Sequence, residues 1–556
     1  MAASAAARPA IPLHRRLYGF GSVYGKTIRD SRLSVTIASG LLGGLSLAMG
    51  AAIGTVFPTP EARLEVNRLV GTMPAEMMNL FGNATLMGER LGTLGGYLTW
   101  KYGAIFALGT AIWSILALTG TLAGEAARGS LDLVAATPFG KRRIALEKLA
   151  AHLTTLAFAL AVVSVMVVVS SAAFGDEALG DRIALGSGIA FGAWIGALAL
   201  CFGGLAFALA PLLGRGGAAA VAGLAMTLLW LASGLGVGGP LVAASPFHWT
   251  SGHIPLVGLV DWPGVVATAA LGIAFLGAGI ELFARRDLGV TAGLRMPRLP
   301  AAALGVDGPL ARALGDQLPR ALAWGLGIGL WGALLASLVG PFAAELGRDS
   351  TLTAIFSSIF PGYDFATAGG WLQLYAEIFF IAVGFAATTF VARWASDETD
   401  GRLEAILASP LSRGRWVVAG GLAATISVGI VTLCWIAGVA AGAGGVAAGG
   451  DAYAGSLSLG LFGIAVVGIG VAVGGLWRAS AAAEVAALFV VATYLLDLLA
   501  PALDLPAWVR DLALTAHYGE PMIGRWDPVG VVASIAIAVG GIALGALGMA
   551  RRDVAR

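Results

Sequence analysis

Twelve separate runs of predominantly apolar residues, most of about twenty or more, punctuate this chain, and no soluble fold tolerates that pattern. They lie near 33–57, 102–122, 149–174, 185–213, 218–240 and 264–283, then near 322–344, 372–392, 417–446, 455–477, 481–500 and 529–550. A hydrocarbon core of about 30 Å takes about twenty residues of helix to cross. Helices and closed barrels alone satisfy every backbone polar group inside lipid. Composition agrees: of 556 residues, 58% are hydrophobic and 12% charged, whereas soluble domains carry about 25% charged residues. Too few polar side chains remain to cover a water-facing surface. The expected fold is all-α, a polytopic membrane protein of about 12 transmembrane helices, and a soluble enzyme is excluded. The 82 glycines show no collagen period and suit close helix–helix approach.

Net charge is +2, which argues for no nucleic-acid partner; the placement of charge says more. Arg8, Arg15, Arg16, Lys26, Arg29 and Arg32 precede the first run, and Arg128, Lys141, Arg142, Arg143 and Lys148 follow the second. Arg285, Arg286, Arg295, Arg298, Arg312 and Arg320 follow the sixth, and Arg393, Arg402, Arg413 and Arg415 the eighth. With twelve spans, all of these fall on one side, which the positive-inside rule makes cytoplasmic along with both termini.

The chain is also written twice. Glu125, Gly129, Leu131, Asp132, Thr137 and Pro138 form the pattern acid-x3-Gly-x-Leu-acid-x4-[Thr/Ser]-Pro, which Asp397, Gly401, Leu403, Glu404, Ser409 and Pro410 repeat 272 residues later. Arg215 matches Arg478, His248 matches His517, and Ala284-Arg-Arg-Asp matches Ala550-Arg-Arg-Asp, all at offsets of 263 to 269. Ordered landmarks at near-constant spacing indicate two tandem six-span halves, related by an axis along the membrane normal. The expected organisation is a cytoplasmic amphipathic elbow segment over 1–32, a first half over 33–286, a linker with a second elbow over 287–320, and a second half over 321–556. Within each repeated segment, apolar positions at helical spacing predict a short amphipathic helix that the acid opens and the proline stops.

That segment, placed between a second and a third span, resembles the coupling helix of type-2 ABC exporter permeases. The fused, twelve-span, Gly/Ala-rich form is similar to the bacterial branch of polyketide-antibiotic and multidrug exporters, as is Pro246-Phe-His-Trp after the fifth span. The resemblance implies a permease subunit in the bacterial inner membrane, partnered by two copies of a separate ABC ATPase. ATP and Mg would bind that ATPase, no cofactor would bind this chain, and a small amphiphilic, drug-like compound would leave through the bilayer. It further implies that the first, second and fifth spans of each half line the pathway, here with Trp113, Met226, Trp230, Glu377 and Tyr494. The second copy reverses the order of its acids, Asp397 then Glu404 against Glu125 then Asp132, so the two ATPase contacts need not be equivalent. The rival functions are an ion-gradient-driven multidrug transporter and a non-transporting membrane partner of an ATPase.

Other motifs carry less. Gly21-Ser-Val-Tyr-Gly25-Lys26-Thr27 lacks the first glycine of a phosphate loop, since position 20 is Phe20, and no strand precedes it. Gly327-Ile-Gly329-Leu-Trp-Gly332 lies inside a span and reads as helix packing, as do the pairs Gly40–Gly44, Gly50–Gly54, Gly192–Gly196 and Gly470–Gly474. The five histidines show no metal-ligand spacing, and Cys201 and Cys434 sit in apolar runs as small hydrophobes. Glu377, about six residues into the eighth run, is the one acid expected well inside a span. Its first-half counterpart is Ile105.

Overall fold

The computed structural model describes residues 22–56, 59–71, 78–79, 82–127, 140–236, 239–285, 308–347, 362–444, 449–502 and 505–552. Eleven helices among them are long and apolar enough to cross a bilayer. They are α1 (Val23–Val56), α2 (Leu94–Thr121), α3 (Lys141–Phe174), α4 (Leu185–Leu235), α5 (Trp262–Ala284), α6 (Pro309–Ser337), α7 (Ala376–Thr399), α8 (Arg413–Gly442), α9 (Gly449–Leu476), α10 (Ala479–Ala502) and α11 (Pro528–Arg551). The protein is an all-α, multi-pass membrane protein.

The count differs from twelve for a physical reason. The fourth and fifth apolar runs share α4, whose 51 residues are interrupted only at Gly214, with φ 70° and ψ 178°. At about 1.5 Å per residue such a helix would reach about 76 Å, over twice the hydrocarbon thickness. Two crossing segments therefore meet at one residue whose φ glycine alone adopts readily. Boundaries shift too. The basic stretches before the first and seventh runs are, from Val23 and Pro309 onward, the opening turns of α1 and α6. Residues 1–21 of the expected elbow lie outside the described residues.

The chain divides into two compact units, Met1–Arg295 and Met296–Arg556. In the first, α1 packs along α3, and α4 lies between α2 and α5; in the second, α6 packs along α8, and α9 lies between α7 and α11. The same helices find the same partners in the same order. Large apolar side chains such as Leu33, Ile37, Val266, Ile273, Val532 and Val539 stay exposed, as a lipid-facing surface requires.

Small residues set the helix spacing. A Cβ at Gly438 or Gly442 of α8 would strike the carbonyls of Gly329 and Ala333 on α6. Gly50 and Gly54 meet Ser170 and Phe174, Gly192 and Gly196 meet Ser164 and Leu160, and Gly470 and Gly474 meet Val391 and Trp394. Gly40 and Gly44 depart from expectation: nothing lies within 4 Å of a Cβ at either, and Gly43 faces Val162 and Met166 instead.

Each unit closes one end with the same loop, away from the repeated acidic segment. Thr93 Oγ1 accepts the N–H of Gly96 at 3.1 Å to start α2, and Thr367 accepts that of Gly370 at 3.3 Å. Against these caps sit turns at Pro255–Val257 and Pro521–Ile523, ended by Gly258 (φ 81°, ψ 7°) and Gly524 (φ 82°, ψ 1°). A Cβ on Gly95 would lie 2.5 Å from the Leu256 carbonyl oxygen, and one on Gly369 would strike that of Met522. His253 is spent on this loop: its Nδ1 accepts the Asp261 N–H at 3.1 Å, and its Nε2 faces the Ala190 carbonyl at 3.3 Å. In the second loop Tyr518 is fully buried, and burial raises its phenol above the ordinary range.

Candidate coupling site

In the second unit, α7 runs to Thr399, Gly401 turns the chain with φ 72°, and a short helix follows over Leu403–Leu407. Ser412 then caps α8 through the Arg415 N–H. The short helix was expected to open at the acid; instead Asp397 occupies the last turn of α7, and the helix begins after the glycine. An acid at a helix C-terminus opposes the dipole, and three guanidiniums answer it. Asp397 is 5% exposed, with Arg312 at 3.2 Å, Arg393 at 3.2 Å and Arg402 at 3.3 Å. Arg393 also holds Asp316 of α6, and Arg552, at the end of α11, holds Glu398.

Beyond Gly401 the expected residues divide by direction. Leu403 is 1% exposed and anchors the short helix to the unit. Glu404, Ala405, Ala408, Ser409 and Pro410 are exposed, with the Ser409 hydroxyl donating to the Ile406 carbonyl at 2.6 Å. Glu404 makes no ion pair among the described residues. The segment therefore presents an acid and small side chains outward, over a base tied down by arginine.

In the first unit a five-residue helix, Ala123–Ala127, carries Glu125. Gly129, Leu131, Asp132, Thr137 and Pro138 lie outside the described residues. The Glu125 carboxylate is a charge contact of 2.7 Å from Lys148 Nζ on α3, and Lys26 Nζ of α1 approaches to 3.4 Å. Lys148 is fully buried, so this pair is nearly out of water, where its net worth depends on mutual neutralisation. Arg215, just past the break in α4, lies against Gly124. Its counterpart Arg478 stacks on Trp477 instead, 4.1 Å from the ring centre.

The two acids share one relation. Each reaches a cation in the opening turns of its unit's first helix, Lys26 of α1 or Arg312 of α6.

The residues expected along a pathway are more scattered. Trp113 is half-buried on α2, its ring 5.7 Å from that of His152 on α3. His152 is buried and its Nε2 lies 3.0 Å from Ser114 Oγ. Met226 and Trp230 are buried one turn apart on α4, and Tyr494 is half-buried on α10. Glu377 is the second residue of α7. It therefore lies at the start of that helix, not six residues into it. The expectation missed Lys101, seven residues past the start of α2. Its Nζ is 3.1 Å from Tyr97 Oη and rests 5.4 and 5.7 Å from the Tyr97 and Tyr102 rings. A lone lysine between tyrosines four residues before and one after was the signal.

Paired charges at the span ends, an outward acid on a short helix and two bundles of the same internal order define the class: an all-α polytopic membrane protein. The comparisons add relatives. Residues 306–549 match the family described as the C-terminal domain of the multidrug efflux system permease Rv1217c. The chain is 27% identical over 431 residues to the multidrug efflux system permease protein Rv1217c of Mycobacterium tuberculosis (strain ATCC 25618 / H37Rv), covering 75% of this chain and 72% of that protein. The resemblance to multidrug exporter permeases thus rests on sequence.

Proposed function

We propose that this chain is the permease subunit of an ATP-driven ABC exporter that expels a hydrophobic or amphiphilic, drug-like compound. Two copies of a separate ATPase bind the segments near Glu125–Pro138 and Asp397–Pro410, with ATP and Mg held by those subunits. The permease lies in a bacterial inner membrane with both segments and both termini cytoplasmic, and does no covalent chemistry. One observation carries the reading. The helix Leu403–Leu407 is exposed on the side bearing Glu404, while its base at Asp397 is pinned by arginines to α6 and α7. A push on that surface would reach α7 through the Gly401 turn and α6 through the Arg312–Asp397 pair. The M. tuberculosis relative, by its name a multidrug efflux permease, supports the substrate class.

The test is co-expression with a candidate ABC ATPase, followed by ATP-dependent uptake of a fluorescent amphiphile into inverted vesicles. Gly129→Pro and Gly401→Pro are expected to abolish transport at normal membrane levels of the protein. Extrusion driven by an ion gradient without any ATPase overturns the proposal.

A further inference from the structure

We propose that the cavity beside the second coupling segment binds an anionic phospholipid, headgroup and upper acyl chain together. The cavity is about 500 Å3 and lies between the opening turns of α6, the helix Leu403–Leu407 and the start of α8.

Its depth follows from helix length. The 29 residues of α6 extend about 44 Å, roughly ten residues more than the hydrocarbon core takes up. The surplus is the stretch carrying Arg312, Asp316 and Arg320 ahead of the apolar run from Ala321. The cavity walled by Arg312 and Asp316 therefore lies at headgroup level.

Its chemistry selects the occupant. Trp394 and Trp416 line it as a stacked pair, ring centres 5.0 Å apart and planes 27° from parallel. Such rings settle where acyl chains meet headgroups. Three guanidiniums, of Arg312, Arg393 and Arg415, face two carboxylates, of Asp316 and Asp397. Arg312 and Arg393 are committed to those acids. Arg415 is exposed and forms no ion pair among the described residues. One surplus positive charge over an indole floor matches a monoanionic amphiphile; basic pockets between spans bind lipid headgroups in this way. A lipid seated there holds the short helix off α6. That consequence for coupling rests on the function proposed above, whereas the lipid site itself does not.

The experiment uses the full chain in detergent, without ATPase, and native mass spectrometry. Phosphatidylglycerol, phosphatidylcholine of the same acyl chains, and inorganic phosphate are titrated separately and in competition. Wild type should retain phosphatidylglycerol about fivefold better than phosphatidylcholine, the worth of one basic group near anionic lipid. Arg415→Gln should bring the ratio close to one, and Ala313→Phe, which fills the cavity, should lower retention of both lipids. Equal retention of the two lipids by wild type, an unchanged ratio in Arg415→Gln, or full displacement by inorganic phosphate overturns the proposal. Should Ala313→Phe fail to fold, Arg415→Gln decides alone, since its side chain is exposed. A failure of the ATPase reading would leave these results unaffected.

Discussion

The two units agree at one end and differ at the other. Where Pro255 and Pro521 open their turns, the final glycines match to within 1° in φ and 6° in ψ. At the acidic segments the sequence pattern repeats, but the charge pairing does not. Glu125 is neutralised by a lysine buried on the next span, and Asp397 by three arginines, one in its own helix and two beside it. Position 420, the counterpart of Lys148 at the segment's offset, is Gly420, whose face receives the Trp394 ring. A duplicated chain can thus keep a loop whose geometry is over-determined by backbone contacts. It is free to rebuild an ion pair, because any nearby cation serves. The two segments thus differ in their charge partners, two lysines for Glu125 and three arginines for Asp397.

The largest expected effect tests that difference. Lys148→Met leaves Glu125 buried without its closest cation and should cost about 3–5 kcal/mol, the usual penalty for orphaning a buried charge. Arg402→Met leaves Arg312 and Arg393 on Asp397 and should cost less than half as much. Thermal unfolding in one detergent measures both, and equal losses would erase the contrast. Next come the shared turns. Gly258→Ala and Gly524→Ala each force a left-handed residue to carry a Cβ, at about 1–2 kcal/mol, and the loss should be the larger at Gly524, where that Cβ would come within 3.2 Å of the Asp451 carboxylate. Equal losses would mean that the Asp451 side chain moves aside at no cost. The smallest effect on stability is that of Glu404→Lys, within about 0.5 kcal/mol as for most surface changes. It should nonetheless weaken ATPase association at the second segment alone.

Much of this was legible before any coordinates. Apolar runs report the spans because lipid leaves the backbone no alternative to a helix, and the duplication surfaced from the spacing of acids, glycines and prolines. The break at Gly214 was hidden because Arg215-Gly216-Gly217 looks like a loop, while the structure needs only one residue with positive φ. The matching turns were in plain view as Thr93-Leu-Gly-Gly-Tyr-Leu against Thr367-Ala-Gly-Gly-Trp-Leu, and Pro255-Leu-Val-Gly against Pro521-Met-Ile-Gly. The arginines around Asp397 were beyond sequence reasoning, since Arg312 lies 85 residues away and only folding shows which cation arrives. Glu377 was misplaced because the apolar run begins before α7, in the short helix Ala368–Gln373.

The central claim is that each unit offers one docking place to a separate ATPase, and the ratio of subunits tests it most directly. Native mass spectrometry of the co-purified complex should give two ATPase copies per chain in wild type and one in Glu404→Lys. No bound ATPase in wild type, or two copies retained in Glu404→Lys, would contradict the account.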